Sequence, residues 1–439
     1  MLKSFTEIKY RLLFFLLLGS AIPLLYSTTR IYWMGQMEDG TTFNIASQLT
    51  WISVFYETVN ETLLLPLAFI LGSVIKETER LKQRIAITLT VFVAVYLIIT
   101  LVMLVFTPSA VGFMQQASSL TALTVQYIRL EAVAIFFSSV FSYYQLLLVL
   151  ENRQKLLYLL LFLQTVLIIL LDSFLVSSLS FSLQLGVLGV ALSNIAVNIF
   201  MCSLTVYFIY RRGIGFSDLQ FNGAAWIKKW RELMLMSGLE SGIRNIIFIV
   251  MILKMINLAE SSGDFWLMNQ FIWGWLLLPV FAIAQLVRQD AATHAELSPS
   301  KISAYLVLVS GVIICWFFTM PFWEYFIHSV MGISHAEKIV SMVVWMLGFY
   351  MLFAWNSVFD QYFYGTGRIH LILYQTLIIN LFFYGTVYIL HIMNMFSVTL
   401  DNILLIFGLS LMFDSLLTYF QYMRVRKQNQ LRELKCASL

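Results

Sequence analysis

Apolar runs of membrane-spanning length succeed one another along the chain, broken near its middle by a basic stretch, Arg211 to Arg231 (RRGIGFSDLQFNGAAWIKKWR). A bilayer core needs about 20 apolar residues per helix. Twelve such segments can be drawn: 11–36, 44–75, 84–107, 120–149, 155–178, 184–210, 231–257, 263–288, 301–325, 337–364, 369–392 and 400–424. The half before the basic stretch is echoed in the half after it. LLLPLAFI at Leu63 to Ile70 returns as LLLPVFAI at Leu276 to Ile283, and SVFSYY at Ser139 to Tyr144 returns as SVFDQY at Ser357 to Tyr362. Pro66 and Pro108 have counterparts at Pro279 and Pro321, each 213 residues on (279−66 and 321−108). The reading is an all-α membrane protein of twelve transmembrane helices in two pseudo-symmetric six-helix lobes. The lobes are 1–210 and 232–424, joined by a cytoplasmic linker at 211–231 and followed by a cytoplasmic tail at 425–439.

Composition excludes the alternatives. Charged residues make up 11% of the chain and hydrophobic ones 60%. A soluble domain carries about 25% charged residues, so the polar surface here is too small to face water. The basic residues flank the apolar runs and do not cluster in a groove, so no nucleic-acid partner is expected. One set of loops holds Lys76, Arg80, Lys82, Arg153, Lys155, the linker basics, Arg368 and the tail basics. The opposite set holds Lys338 with Glu38, Asp39, Glu260 and Asp264. Positive-inside bias then makes both termini cytoplasmic in a multi-pass protein of the inner or plasma membrane. Each half enters and leaves on one face, which predicts parallel repeats. Cys202, Cys315 and Cys436 imply no disulfide framework. Nucleotide-binding and hydrolase motifs are missing, so neither ATP-driven transport nor an enzyme is expected, and no cofactor or metal. A lipid-modifying enzyme would need histidines and acids at one depth, whereas His294, His328, His335, His370 and His391 are scattered near loops.

LLDSFLVSSLSFSLQLGVLGVALSN, from Leu170 to Asn194, resembles the fifth and sixth helices of multidrug and toxic compound extrusion (MATE) transporters, where LDxxLIFG precedes LGVxGAALAT. IYWMG at Ile31 to Gly35, after the mid-helix Pro23, resembles their DTIFVG, and GLESGIRN from Gly238 is similar to the start of their seventh helix. The wider superfamily, which includes lipid-linked oligosaccharide flippases, shares these motifs. The resemblance implies a monomeric secondary active transporter that works by rocker-switch alternating access. It would exchange amphipathic, cationic organic compounds for a coupling ion, H+ or possibly Na+, across a central cleft. A flippase for a lipidic precursor is the alternative. The resemblance also implies a cation site in the first lobe, with an Asp in helix one, an Asn and an Asp in helix five and a Thr in helix six. Here those positions read Arg30, Ile168, Asp172 and Asn194. Asp172 alone matches, and Arg30 brings a fixed positive charge, expected to pair with Asp172 or with Glu57 and Glu61, that disfavours sodium there.

Ionisable groups inside a bilayer cost about 2.5–3.5 kcal/mol each on insertion scales, so those retained are the candidates. Glu57 and Glu61 lie four apart on one helix with Asn60 beside them, and two such carboxylates cannot both ionise cheaply unless a cation such as Arg30 neutralises them. Asp360, with Asn356 and Gln361, forms a polar cluster in the tenth helix. Glu240 and Arg244 could pair along one helix face. The coupling candidates are Glu57, Glu61, Asp172, Glu240 and Asp360, and the tethered cations are Arg30 and Arg244. Asn60, Asn194, Asn245, Trp273, Trp275, Asn356 and Gln361 are the candidates for contact with a small-molecule or lipidic substrate. Arg129 and Glu131 read as residues near a helix end that reach the interface. With Asp414 and Lys254 added, the acids within the spans (Glu57, Glu61, Glu131, Asp172, Glu240, Asp360, Asp414) outnumber the bases (Arg30, Arg129, Arg244, Lys254) seven to four, which leans toward cationic substrates.

Overall fold

In hydrocarbon every backbone N–H and C=O must find its partner within the protein, and a helix does so within a single segment. The computed structural model describes residues 5–37, 41–151, 153–211, 213, 224–294, 297–393 and 395–437, and among these the regular structure is helical throughout. The first half contributes α1 (Tyr10–Gly35), α2 (Leu49–Gly72), α3 (Thr78–Phe113), α4 (Thr121–Leu150), α5 (Gln154–Leu175) and α6 (Gly186–Arg211). The second contributes α7 (Ala224–Phe248), the bent α8 (Ser262–Leu276 with Leu278–Ala291), α9 (Pro299–Ser329), α10 (Ala336–Gly365), α11 (His370–Ile392) and α12 (Leu400–Ala437). Nine of these are long and apolar enough to cross a membrane, and α8 makes a tenth as a bent span. The remaining two, α2 and α7, are the helices that carry Glu57, Glu61 and Arg244. The chain is a multi-pass membrane protein with the twelve-helix layout that the apolar runs predict. Most of the linker, 212 and 214–223, lies outside the described residues.

The repeated proline has different consequences in its two settings. Pro279 has no N–H to donate and its ring crowds the carbonyl four residues back, at Trp275. There the helix widens into a π turn over Gln270–Leu276 and then bends by 54°. Its counterpart Pro66 lies inside the uninterrupted α2. Two further π turns, Ile249–Leu253 and Ile379–Tyr384, also fall in the second half.

Packing divides the chain into two compact units, one of Leu25–Trp266 with Val330–Ile333, the other of Met1–Leu24, Leu267–Ser329 and Ser334–Leu439. Within the first, α7 lies along α2 because small residues line the seam. A Cβ on Gly238 would come within 2.8 Å of Thr62 Oγ1, and Ser237 Oγ donates to the Glu61 carbonyl at 2.7 Å. Small residues four apart let helices approach in this way. Gly189 serves α6 similarly, its position 2.8 Å from the Leu175 carbonyl at the end of α5. In the second unit, Leu24 on α1 fills the place a side chain on Gly274 would take.

Candidate functional site

Among the described residues, the polar candidates named from the sequence fall into three groups inside the helical units. The first joins α1, α4, α5 and α6. Arg30 grips Asp172 with two N–H groups, Nε to Oδ2 at 2.8 Å and Nη2 to Oδ1 at 3.2 Å, and Nη2 also donates to Asn194 Oδ1 at 2.9 Å. The Asn194 amide passes the chain on, its Nδ2 donating to Glu131 Oε1 at 2.8 Å. Close approach of α5 and α6 at Gly189 brings Asn194 into reach. Asp172 and Glu131 are both buried. One guanidinium therefore serves two carboxylates through a side-chain amide. Arg30 stands where the family resemblance implies an Asp of the cation site, and it brings its own positive charge to Asp172. Glu131 corrects the sequence reading, because it lies 2% exposed, whereas Arg129 is exposed.

The second group lies on the α2–α7 seam. Arg244 Nη2 donates to Glu61 Oε2 at 2.6 Å. The cation that reaches the Glu57/Glu61 pair is thus Arg244, and Arg30 is engaged elsewhere. Asn245 is buried beside it, donating to Thr58 Oγ1 at 2.9 Å. Asn60 accepts the Tyr96 hydroxyl at 3.0 Å. The Glu240 side chain lies outside the described residues.

The third group joins α10, α11 and α12 in the other unit. Asn356 Nδ2 donates to Asp360 Oδ2 at 2.9 Å and to Asp414 Oδ2 at 3.0 Å, so one amide bridges two carboxyl groups. Gln375 donates to the other oxygen of Asp414, and Thr418 Oγ1 donates to Asp360 Oδ1 at 3.4 Å. Among the described residues no basic side chain pairs with either acid. Gln361, next to Asp360, is half-buried. Sequence reasoning named Asp360, Asn356 and Gln361 here and counted Asp414 among the acids within the spans without joining it to them, while Gln375 and Thr418, from the next two helices, were not named.

The aromatic candidates lie on the π turn of α8. The half-exposed Trp273 donates from its indole N–H to the Tyr350 hydroxyl at 3.0 Å, and that hydroxyl donates to Asn269 Oδ1 at 3.2 Å. Trp273 also rests 5.3 Å from the Phe353 ring, and Trp275 meets Phe326 edge-on at 4.9 Å. Lys254, another basic residue within the spans, places Nζ 3.9 Å from the centre of the Phe113 ring, a cation–π contact. Among the described residues no three His, Cys, Asp or Glu side chains gather as a metal centre would need.

No protein-family model matches the sequence, and no curated protein matches it. Solved structures do. An inward-facing conformation of a multidrug resistance MATE family transporter of the MOP superfamily matches with a TM-score of 0.73 at 16% identity, over 94% of this chain and 96% of that one. An outward-facing conformation of a transporter of that family matches at 0.60 and 16% identity, over 96% of each chain. A MOP superfamily transporter from Pyrococcus furiosus, described as having a binding pocket of reverse polarity, matches at 0.59 and 18% identity, over 92% of this chain and 95% of that one. Helical throughout its described residues and matched over nearly its whole length, the chain has the fold of the MATE family transporters of the MOP superfamily.

Proposed function

We propose that the protein is a secondary active transporter that exports amphipathic, cationic organic compounds in exchange for protons by alternating access. The observation that carries this reading is the Asp360–Asn356–Asp414 cluster, two carboxyl groups tied to one amide with no basic partner among the described residues. Two carboxylates this close in a low dielectric repel, and a proton shared between them relieves the repulsion. A group that can load and release a proton, in helices that cross the membrane, is what coupling requires, because a ligand shifts a conformational equilibrium only by binding its two states unequally. Sodium is disfavoured in the other unit, where the Arg30 guanidinium already occupies the carboxylate that would bind it. The protein would act as a monomer in the plasma membrane, without a cofactor.

A flippase for a lipidic precursor is the second reading. Arg30 and Arg244 favour it, since guanidinium groups within the spans suit an anionic headgroup, and the Pyrococcus furiosus neighbour is described as having a pocket of reverse polarity. Reconstituted vesicles separate the two. Under an imposed proton gradient a fluorescent organic cation should accumulate, and a sodium gradient alone should not drive it. Cation movement indifferent to both gradients, together with faster translocation of a fluorescent lipid-linked sugar, would replace the exporter by the flippase.

A further inference from the structure

Two pieces of the chain's second half are packed into the first unit, at the end that the loop charges assign away from the cytoplasm. One runs from Asn257 to Phe265, past the end of α7, and the other is Val330–Ile333, in the turn between α9 and α10. The first is held by buried amides. Gln48, just before α2, and Asn257, in the helical continuation of α7 over Lys254–Leu258, exchange two hydrogen bonds. Gln48 Nε2 donates to Asn257 Oδ1 at 2.8 Å, and Asn257 Nδ2 returns one to Gln48 Oε1 at 3.0 Å. Asn257 Nδ2 also donates to the Met114 carbonyl at the end of α3, at 2.8 Å, and the Trp51 indole N–H donates to Gln48 Oε1 at 3.1 Å. Gln48 is 1% exposed and Asn257 6%. Beside them, Asn44 Oδ1 accepts the Gly263 N–H at 2.8 Å, and a Cβ on Gly263 would stand 2.7 Å from that oxygen.

The second piece is held by a meeting of backbones. A Cβ on Gly35, the last residue of α1, would run into the Gly332 carbonyl, and one on Gly332 would come within 2.9 Å of the Tyr32 carbonyl. Gly332 also takes the left-handed conformation, with φ of 72°, which suits glycine. Met331 and Ile333 on either side of it are buried.

Both contacts are of a kind that parts easily. Two apolar side chains resist separation because parting them exposes apolar surface to water. An amide pair loses little once water reaches it, since water replaces each hydrogen bond, whereas left dry and unpaired the same groups would be costly. A glycine-to-glycine contact likewise buries little apolar surface. We propose that the Gln48–Asn257 amides and the Gly35–Gly332 contact form one clasp, closed in this structure, that opens as a unit to admit the non-cytoplasmic medium. The clasp rests on the transporter reading, in which each end opens in turn, and adds which contacts part. Loss of the amides should therefore also free Val330–Ile333, although among the described residues none of these amides hydrogen-bonds to that segment.

The test uses the full chain in nanodiscs, with Cys202, Cys315 and Cys436 replaced by serine and Ile333→Cys as the probe. A bulky water-soluble maleimide reaches that buried thiol while the clasp is open. Asn257→Leu, which keeps the volume and removes the amide, should raise the labelling rate about tenfold, the worth of one to two hydrogen bonds. Asn44→Ala, at a partly exposed position, removes the acceptor of the Gly263 N–H and should raise the rate by a smaller factor. Leu147→Cys, used in place of Ile333→Cys and equally buried on α4 of the same unit, should label no faster in either variant. A rate at Ile333→Cys that neither substitution changes would overturn the proposal and leave the amides as packing. So would an equal rise at both probes, which is general loosening. Labelling is read with no transport involved, so its outcome is separate from that of the vesicle assay.

Discussion

Arg30 on α1 holds Asp172 on α5 through two hydrogen bonds, with the carboxylate 1% exposed and the guanidinium also bound to Asn194. Removing one partner of a buried pair leaves a desolvated charge behind, at a cost of about 3–5 kcal/mol, whereas replacing both with apolar residues of similar volume is often close to neutral. Arg30→Met should therefore lower the thermal unfolding midpoint of the purified protein sharply, and Arg30→Met with Asp172→Leu should recover most of the loss. The same pair predicts how the protein responds to ions. Sodium chloride should stabilise it no more than choline chloride at equal concentration, because the tethered guanidinium fills the place of a free cation. A sodium-specific stabilisation lost in Asp172→Asn, with Arg30 intact, would contradict that view.

The α2–α7 seam predicts opposite behaviour at two glycines one turn apart. A Cβ at Gly238 meets Thr62 Oγ1 at 2.8 Å, while one at Gly242 meets Thr58 Cγ2 at an ordinary 3.8 Å. Gly238→Val should overpack the seam and cost about 1–3 kcal/mol. Gly242→Ala should be neutral or stabilising by up to about 1 kcal/mol, the helix preference of alanine over glycine. Thermal unfolding of both variants checks the pair, and equal losses would mean that the seam is not where α7 makes its closest approach.

Asp290, near the end of α8, predicts a second contrast. It is fully buried, with Lys301 Nζ at 2.7 Å, the Tyr305 hydroxyl at 2.5 Å and Lys9 Nζ at 3.5 Å. Lys301 is buried with it, whereas the Lys9 side chain is 53% exposed. Lys301→Met should destabilise by about 3–5 kcal/mol, and Lys9→Met by less than about 1 kcal/mol. Chemical unfolding of the two variants in the same detergent checks the difference.

The spans were legible because hydrocarbon imposes one solution, and a run of apolar residues of the right length states it locally. The recurrence of LLLP was legible as well, but not its consequence, since Pro279 follows a π turn and a 54° bend while Pro66 lies in an uninterrupted helix. That a cation as deep as Arg30 must meet a carboxylate was legible, but the sequence left two candidates, Asp172 and the Glu57/Glu61 pair, and the fold brings Asp172 to it. Partner choice elsewhere was not local. Arg244 bonds to Glu61 on α2, 183 residues away in the chain, across the glycine-lined seam. Glu131 was assigned to the interface, although it lies ten residues inside α4 (131−121), where α6 delivers Asn194 to it. Asp414 is 58 residues from Asn356 in the chain, and no spacing rule connects them.

Coupling can be separated from binding at the third cluster. Asp360 and Asp414 share the Asn356 amide, so an amide in place of either acid keeps the size and much of the hydrogen bonding but removes a proton-carrying group. Uphill movement of substrate requires that group to load and unload in every cycle, whereas exchange of labelled for unlabelled substrate at equal concentrations requires only that the loaded protein turn over. Asp360→Asn and Asp414→Asn should therefore bring gradient-driven accumulation in reconstituted vesicles down to that of empty vesicles while exchange continues. Glu57→Gln, made as a comparison on α2, tests whether coupling is confined to Asp360 and Asp414. Loss of accumulation and exchange together in both Asn variants, with the folded fraction unchanged on size exclusion, would assign the pair to substrate binding. Accumulation undiminished in both would remove it from the mechanism.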